Sequence, residues 1–309
     1  MAEKRPLIVI VGPTASGKTA LAVALCRRIG GEVVTADSMQ VYRGMNIGTA
    51  KPDTDEQGGV PHHMIDVVSP DEEYSVHRFS GEAEQCIRAI HERGRTPVMS
   101  GGTGLYVDAV VYGLGFTDAG TDPSFRRELW RQSRTEGPDS LHRRLVAVDP
   151  DSAAAIHPNN VKRVIRALEV YHLTGTPFSR YTNKRRVRWS PYHCFGLSMA
   201  RDALYERINR RVDDMMARGL LKEVARLRDS CPGWSDTARQ GLGYKELLDY
   251  LEERFTLSEA VEILKRRTRN YAKRQMTWFR RMPGVTWLDA SQPVEKLVDS
   301  ICDAMRDDA

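Results

Sequence analysis

Apolar positions along the chain change their period several times, and each change predicts an element. Leu7-Ile8-Val9-Ile10-Val11 is an unbroken aliphatic run rich in β-branched residues. Such a run, without polar alternation, predicts a strand buried on both faces. Leu21, Leu25 and Ile29 then recur at a spacing of four, which predicts a helix over residues 19–29. Val33-Val34-Thr35-Ala36 and Thr96-Pro97-Val98-Met99-Ser100 are two more strand-like runs. Between them lie the segment around Met64-Ile65-Asp66-Val67-Val68 and a predicted helix over about 76–93. This is the βαβ rhythm of a parallel sheet covered by helices, hence an α/β fold class.

The texture changes near Phe116. Gly120, Asp122, Pro123, Gly137 and Pro138 punctuate short helical runs. Val161, Ile165, Leu168 and Leu173 predict a helix over 160–173, ended by Gly175 and Pro177. Residues 192–199 read as a strand again, followed by long helices over about 202–229 and 257–281 and a short strand near Val285-Thr286-Trp287-Leu288. The economical division is an α/β core over 1–115 and 192–309, interrupted by a helical insertion domain over 116–191. A length of 309 residues suits two domains at a prior of ~150 residues each.

Composition narrows the class. No stretch of ~18 apolar residues occurs, so no membrane span is expected. The N-terminus enters a strand directly and shows no signal-peptide layout. The five cysteines, Cys26, Cys86, Cys194, Cys231 and Cys302, include no Cys-x-x-Cys pair. They read as reduced thiols of a cytoplasmic protein, not as a disulfide frame or a zinc site. His62-His63 is a poor metal pair, because neighbours on a strand point to opposite faces. The net charge of +5 is modest but unevenly placed. Arg180, Lys184, Arg185, Arg186 and Arg188 form one basic run without an acid. Lys265, Arg266, Arg267, Arg269, Lys273, Arg274, Arg280 and Arg281 belong to a second. Two such runs point to a polyanionic partner, nucleic acid ahead of a solvated helix face.

The chemistry begins at Gly12-Pro13-Thr14-Ala15-Ser16-Gly17-Lys18-Thr19, a full match to Gly-x-x-x-x-Gly-Lys-[Ser/Thr] placed between predicted strand and helix. Gly12 and Gly17 allow the tight backbone that converges N–H groups on phosphate, Lys18 adds a mobile charge, and the Thr19 hydroxyl suits Mg²⁺. Alone, this P-loop predicts ATP or another triphosphate, and a kinase or ATPase. Asp37-Ser38-Met39-Gln40 closes the next strand. There Asp37 reads either as a structural cap or as a general base or metal ligand, and Ser38 and Gln40 suit a donor–acceptor edge. Gly101-Gly102-Thr103-Gly104 is a second glycine turn. Asp37, Asp66 and Thr103 are all expected just beyond strand ends, where ligands of parallel sheets bind. Asp66 stands as an alternative Mg²⁺-coordinating acid, and Trp278 and Phe279 read as packing residues.

Taken in order, GPTASGKT, DSMQVYRGMNIGTAKP, VPHHMIDVVSP, GGTGLYVDAVVYGL, RVIRALEVYHLTG, GLGYKE and RNYAKRQMTWFRR resemble the bacterial tRNA dimethylallyltransferase family, the tRNA isopentenyltransferases, over about residues 7–289. The resemblance implies a P-loop NTPase-like parallel sheet with a helical, tRNA-binding insertion. It also implies transfer of a dimethylallyl group from dimethylallyl diphosphate to N6 of the adenosine 3′ to the anticodon, in tRNAs reading codons that begin with U. Thr14, Ala15, Ser16, Gly17, Lys18 and Thr19, with Gly12, would hold the diphosphate and Mg²⁺. Arg211 would add a diphosphate contact or make a surface salt bridge. Asp37 would take the amine proton. Ser38, Met39, Gln40, Thr103, Arg126, Lys162, Arg163, Gly243, Tyr244, Lys245, Lys273 and Arg274 would meet tRNA. At 162 the family has Gln where this chain has Lys, which removes an amide's two-way hydrogen bonding. Three rivals stay open: an isopentenyltransferase for free adenine nucleotides, a small-molecule P-loop kinase, and a non-catalytic RNA-binding module. A monomer is expected.

Overall fold

Five consecutive apolar side chains leave Leu7–Val11 (β1) no face for solvent, and every one of them is fully buried. A computed structural model of the chain describes residues 5–113, 120–181, 187–231 and 233–307; Phe116 and the basic residues Lys184, Arg185 and Arg186 lie outside the described residues. From β1 the chain passes through α1 (Lys18–Ile29), β2 (Gly31–Thr35), the single turn α2 (Thr54–Gln57), the two-residue β3 (His62–His63), α3 (Val76–Glu92), β4 (Thr96–Gly101) and α4 (Gly104–Tyr112). Then come α5 (Pro123–Glu136), α6 (Pro138–Val148), α7 (Pro150–Ala155) and α8 (Val161–Thr174). The sheet resumes with β5 (Tyr192–Ser198), followed by α9 (Arg201–Ala217), α10 (Leu220–Ser230), α11 (Asp236–Arg239), α12 (Tyr244–Leu251), α13 (Leu257–Phe279), β6 (Val285–Asp289) and α14 (Val294–Asp307).

The chain divides into two compact units, Met1–Val111 with Val187–Ala309, and Tyr112–Arg186. In the first, six strands run in the order β3-β2-β4-β1-β5-β6, all parallel. Val9 of β1 lies opposite Met99 of β4 and Cys194 of β5. Leu21 and Leu25 of α1 join Val298 and Ile301 of α14 over Ile8, Ile10, Phe195 and Leu197. Phe79, Ala83, Ile87 and Ile90 of α3 are likewise buried, and Phe79 stacks on Tyr106 of α4 with ring centroids 4.0 Å apart. In the second unit, Leu129, Leu141, Leu145, Val164, Ile165 and Leu168 form a core of their own. Asp122 caps α5 by accepting the N–H groups of Ser124 and Phe125.

Three features differ from the sequence-based expectation. The helix expected over 202–229 is two helices, broken at Gly219, whose φ of 95° no helix interior tolerates. Apolar spacing runs on through Ile208, Val212, Leu220 and Val224, so periodicity alone does not register the break. Asp66 does not follow a strand end directly. β3 stops at His63, and Asp66 sits in a turn at φ 53°. Finally, α14 was not expected, although its buried Leu297, Val298 and Ile301 complete the cover of α1.

Candidate active site

The carboxyl ends of β1, β2 and β4 open onto a cleft of about 460 Å³ in the first unit. This is where a parallel sheet presents ligands to backbone N–H groups and helix N-termini. Its lining includes Thr14–Thr19, Asp37, Gln40, Lys51, Gly101, Gly102, Arg211, Tyr271 and Gln275. The phosphate-type loop and Asp37, 18 or more positions apart in sequence, therefore share one cavity.

The loop has the cradle geometry that its sequence requires. Ala15 and Gly17 both have positive φ, 64° and 91°, and Gly17 is the N-cap of α1 without a side-chain cap bond. The N–H groups of the first helical turn are thereby left to a ligand. Lys18 Nζ donates to the Pro13 carbonyl at 2.7 Å. Burial and the nearby Arg211 push its amine down to about 7, against the pull of Asp37. Ser16 Oγ is buried without a partner among the described residues, and the Thr19 hydroxyl belongs to the exposed entrance. Arg211 lines the cleft and its Nη1 reaches toward Thr14 Oγ1 at 3.5 Å, where burial lowers its pKa. An orphan hydroxyl, an open hydroxyl, an ammonium and a guanidinium around one loop fit a diphosphate. They also fit a Mg²⁺ that keeps most of its ligands as phosphate oxygens and water.

Across the cleft, Asp37 Oδ1 accepts the N–H of Met39 at 2.8 Å and that of Gln40 at 3.3 Å, which leaves Oδ2 for a ligand. Burial raises its pKa; those two N–H groups, Lys18 and Lys51 oppose the rise. A desolvated carboxylate with one oxygen tied and one open is suited to accept a proton. The Ser38 N–H donates to Thr103 Oγ1 at 3.0 Å, so the second glycine turn buttresses the segment beside Asp37. Met39 Sδ packs against Gly241, which brings the GLGYKE segment to the same edge.

Several expected contacts are placed differently. Gln40 Nε2 donates to the carbonyls of Thr49 and Ala50 at 3.0 and 3.2 Å. Its donor half is committed, and Oε1 alone remains for a base edge. Tyr244 is fully buried and donates its hydroxyl to Glu223, so its ring is no surface for RNA. The same segment keeps Gly243 at a helix N-cap and leaves Lys245 exposed, bonded to Gln240. Asp66 does not line the cleft. Its Oδ1 holds Lys51 Nζ at 2.5 Å, which answers the Mg²⁺ alternative with an ion pair. His63 pairs with Glu32 at 2.7 Å, and His62 Nδ1 lies 2.9 Å from the Val60 carbonyl. Phe279 is buried, whereas Trp278 lies over Gly104 and is 39% exposed.

The basic helix α13 is divided in its commitments. Lys265, Arg267 and Arg269 bond Asp213, Glu246 and Asn209; Lys273 and Arg274 are exposed, and Arg274 stands over the Tyr271 ring. In the second unit Lys162 and Arg163 are exposed in the first turn of α8. Arg126 binds the fully buried Glu169 through Nε and Nη2 at 2.7 and 2.8 Å.

Tyr271, Lys51 and Glu223 are the residues that sequence reasoning did not single out for the site; Gln275, which the resemblance groups with Lys273 and Arg274 on the basic helix, instead bonds Thr14 and Gly102 inside the cleft. Tyr271 lines the cleft with its phenol raised to about 12, by burial and then by Asp37. Lys51 donates to the Tyr42 carbonyl, Asn46 and Asp66. Only the i, i+4 spacing of Tyr271 and Gln275, one face of one helix, hints at them beforehand.

The family described as IPP transferase matches residues 40–282, and that described as isopentenyl transferase matches residues 6–66. The chain is 50% identical over 295 residues to the tRNA dimethylallyltransferase of Geobacillus thermodenitrificans, covering 95% of this chain and 92% of that one. It is also similar to the full-length tRNA isopentenylpyrophosphate transferase of Bacillus halodurans, with a TM-score of 0.72, 48% identity, and coverage of 98% and 96% of the two chains. A eukaryotic dimethylallyltransferase acting on tRNA matches with a TM-score of 0.76 and 34% identity, over 93% of this chain and 74% of that one. With cradle, carboxylate and glycine turn in one cleft and these matches along almost its whole length, the chain belongs to the IPP transferase family of tRNA dimethylallyltransferases.

Proposed function

We propose that this chain transfers a dimethylallyl group from dimethylallyl diphosphate to N6 of the adenosine 3′-adjacent to the anticodon in tRNAs reading U-starting codons. The single observation behind the reading is that the diphosphate-type cradle and the half-tied Asp37 carboxylate line one cleft. A kinase would hold its donor phosphates there and transfer one of them. Here the diphosphate is the leaving group.

The N–H groups of Gly17, Lys18 and Thr19, the Lys18 ammonium and Arg211 stabilise the charge that grows on the diphosphate as its bond to the allylic carbon breaks. Gly12, Thr14, Ala15 and Ser16 shape that cradle. Thr19 and Ser16 would hold Mg²⁺, which when bound neutralises diphosphate charge. As the new carbon–nitrogen bond forms, Asp37 Oδ2 accepts the proton lost by the amine. Ser38, Met39 and Thr103 frame the base, with Gln40 offering its acceptor oxygen.

Lys273 and Arg274 of α13, Gly243 and Lys245 by the GLGYKE turn, and Lys162, Arg163 and the remaining edge of Arg126 in the helical insertion meet the tRNA backbone. Phosphate contacts of this kind set register more than sequence choice. The target base leaves its stack to enter the cleft, at about a few kcal/mol. The five unpaired cysteines suit the reducing cytoplasm. One chain supplies both cradle and carboxylate, so we take a monomer as the working unit.

The test supplies labelled dimethylallyl diphosphate with unmodified tRNA, with AMP, or with neither. Label in tRNA supports the proposal. Label in AMP but not in tRNA refutes it in favour of a free-nucleotide enzyme.

A further inference from the structure

One side chain joins the two sides of the cleft. Gln275 of α13 is 5% exposed. Its Oε1 accepts the Thr14 N–H at 2.8 Å, and its Nε2 donates to the Gly102 carbonyl at 2.9 Å. The partners fix the amide's orientation, since an N–H needs an acceptor and a carbonyl needs a donor. Thr14 belongs to the cradle. Gly102 precedes Thr103, whose N–H donates to the Ala36 carbonyl at 3.2 Å and whose Oγ1 accepts from Ser38 N–H at 3.0 Å. An unbroken series of hydrogen bonds therefore runs from the cradle to the residues on either side of Asp37. The approach is close enough that a Cβ on Gly102 would stand 2.2 Å from Gln275 Nε2. Only glycine admits the amide there.

We propose that Gln275 is a positioning residue that sets the separation between the diphosphate cradle and the turn that orients the base. The proposal rests on the alkyl-transfer reading above. In that reaction the accepting nitrogen, the allylic carbon and the departing oxygen must lie in line, with the reacting atoms about 3–3.5 Å apart beforehand. The cradle holds the leaving group and the turn frames the acceptor, and Gln275 fixes one against the other through Thr14 and Gly102. It acts on distance rather than on attraction. Its loss lowers the rate at saturation and leaves the affinity for each substrate in place.

The experiment uses the full chain with Gln275→Met, which keeps the length without donor or acceptor, and Gln275→Glu, which keeps only the acceptor toward Thr14. Turnover is measured at saturation of dimethylallyl diphosphate and tRNA. Binding of inorganic diphosphate with Mg²⁺, binding of tRNA, and amide exchange of the peptide containing residues 101–104 are measured alongside. Gln275→Met is expected to lower kcat about 100-fold, the order for a misplacement of ~1 Å, with both dissociation constants within about threefold. Gln275→Glu is expected to fall between Gln275→Met and wild type. Exchange at 101–104 is expected to quicken about tenfold in both variants.

An unchanged kcat overturns the proposal, and so does a loss confined to either dissociation constant. Unchanged exchange at 101–104 also overturns it. If the wild type transfers no dimethylallyl group, the functional reading fails by itself, and the exchange measurement alone decides whether Gln275 ties the turn. If Gln275→Met does not fold, Gln275→Glu decides on the same readouts.

Discussion

Tyr244 donates its hydroxyl to Glu223 across 2.6 Å, in a place where both side chains are almost wholly shielded from solvent, at 0% and 6% exposed. The same carboxylate accepts the N–H groups of Asn46, Ile47 and Gly48. The tyrosine of the GLGYKE segment thus holds a loop whose neighbours Thr49, Ala50 and Lys51 line the cleft. Tyr244→Phe is expected to destabilise the chain by about 1.5 kcal/mol, the low end for a hydrogen bond to a charged group. Urea unfolding reads that loss, and tRNA affinity should stay within about threefold. A loss of tRNA affinity at unchanged stability would instead return Tyr244 to the RNA surface.

Arg126 faces a comparable test in the second unit. Glu169 is fully buried and receives Arg126, Arg166 and the Asp122 N–H. Burial works to raise its carboxyl, and these partners overcome burial and hold it below the usual glutamate range. The folded pKa lies below the unfolded one, so this stabilisation is present above the unfolded value and is lost as pH falls through the folded one. Arg126→Met should cost about 2 kcal/mol, less than a fully buried pair, because Arg126 is 39% exposed and Arg166 remains. The cost should shrink in acid. Thermal unfolding of wild type and variant at neutral and acid pH checks both statements.

Lys18 gives the pH dependence of ligand binding. Its amine is lowered from an ordinary 10.5 to about 7 in the ligand-free cleft. Between those values the unfolded chain binds more protons than the folded one, so stability contributed by this group rises with pH through that window. A diphosphate restores the charge. Binding of inorganic diphosphate at about pH 8 should therefore take up as much as about one proton, and little at about pH 6. Calorimetry in buffers of different ionisation enthalpy reads the uptake, and Lys18→Met should abolish it. The same variant should raise the ligand-free unfolding midpoint by about 1–2 °C, the shift of roughly 1 kcal/mol at this size.

Local signals made the first half of the site readable. The aliphatic run of β1, the glycine–lysine loop and the start of α1 follow one another within 23 residues, and each has its own physical signature. Asp37 was legible as a carboxylate beyond a strand end. What the sequence concealed depends on distance along the chain. Gln275 meets Thr14 across 261 positions and Glu223 meets Asn46 across 177, and no spacing rule reaches that far. The break at Gly219 was hidden because the apolar stripe continues through it. Tyr244 was misjudged for a related reason: an aromatic in a motif looks available until the buried carboxylate that holds it is placed.

In the proposed reaction Asp37 accepts the amine proton opposite a leaving diphosphate. Its most direct test is the transfer rate of Asp37→Asn at saturation of both substrates, with tRNA affinity measured on the same protein. Asparagine keeps the shape and can still accept the Met39 N–H, but it cannot take the proton. The rate is expected to fall by about 10²–10⁴, the usual contribution of a positioned general base, with tRNA affinity within about threefold. Transfer by Asp37→Asn at the wild-type rate would contradict the account.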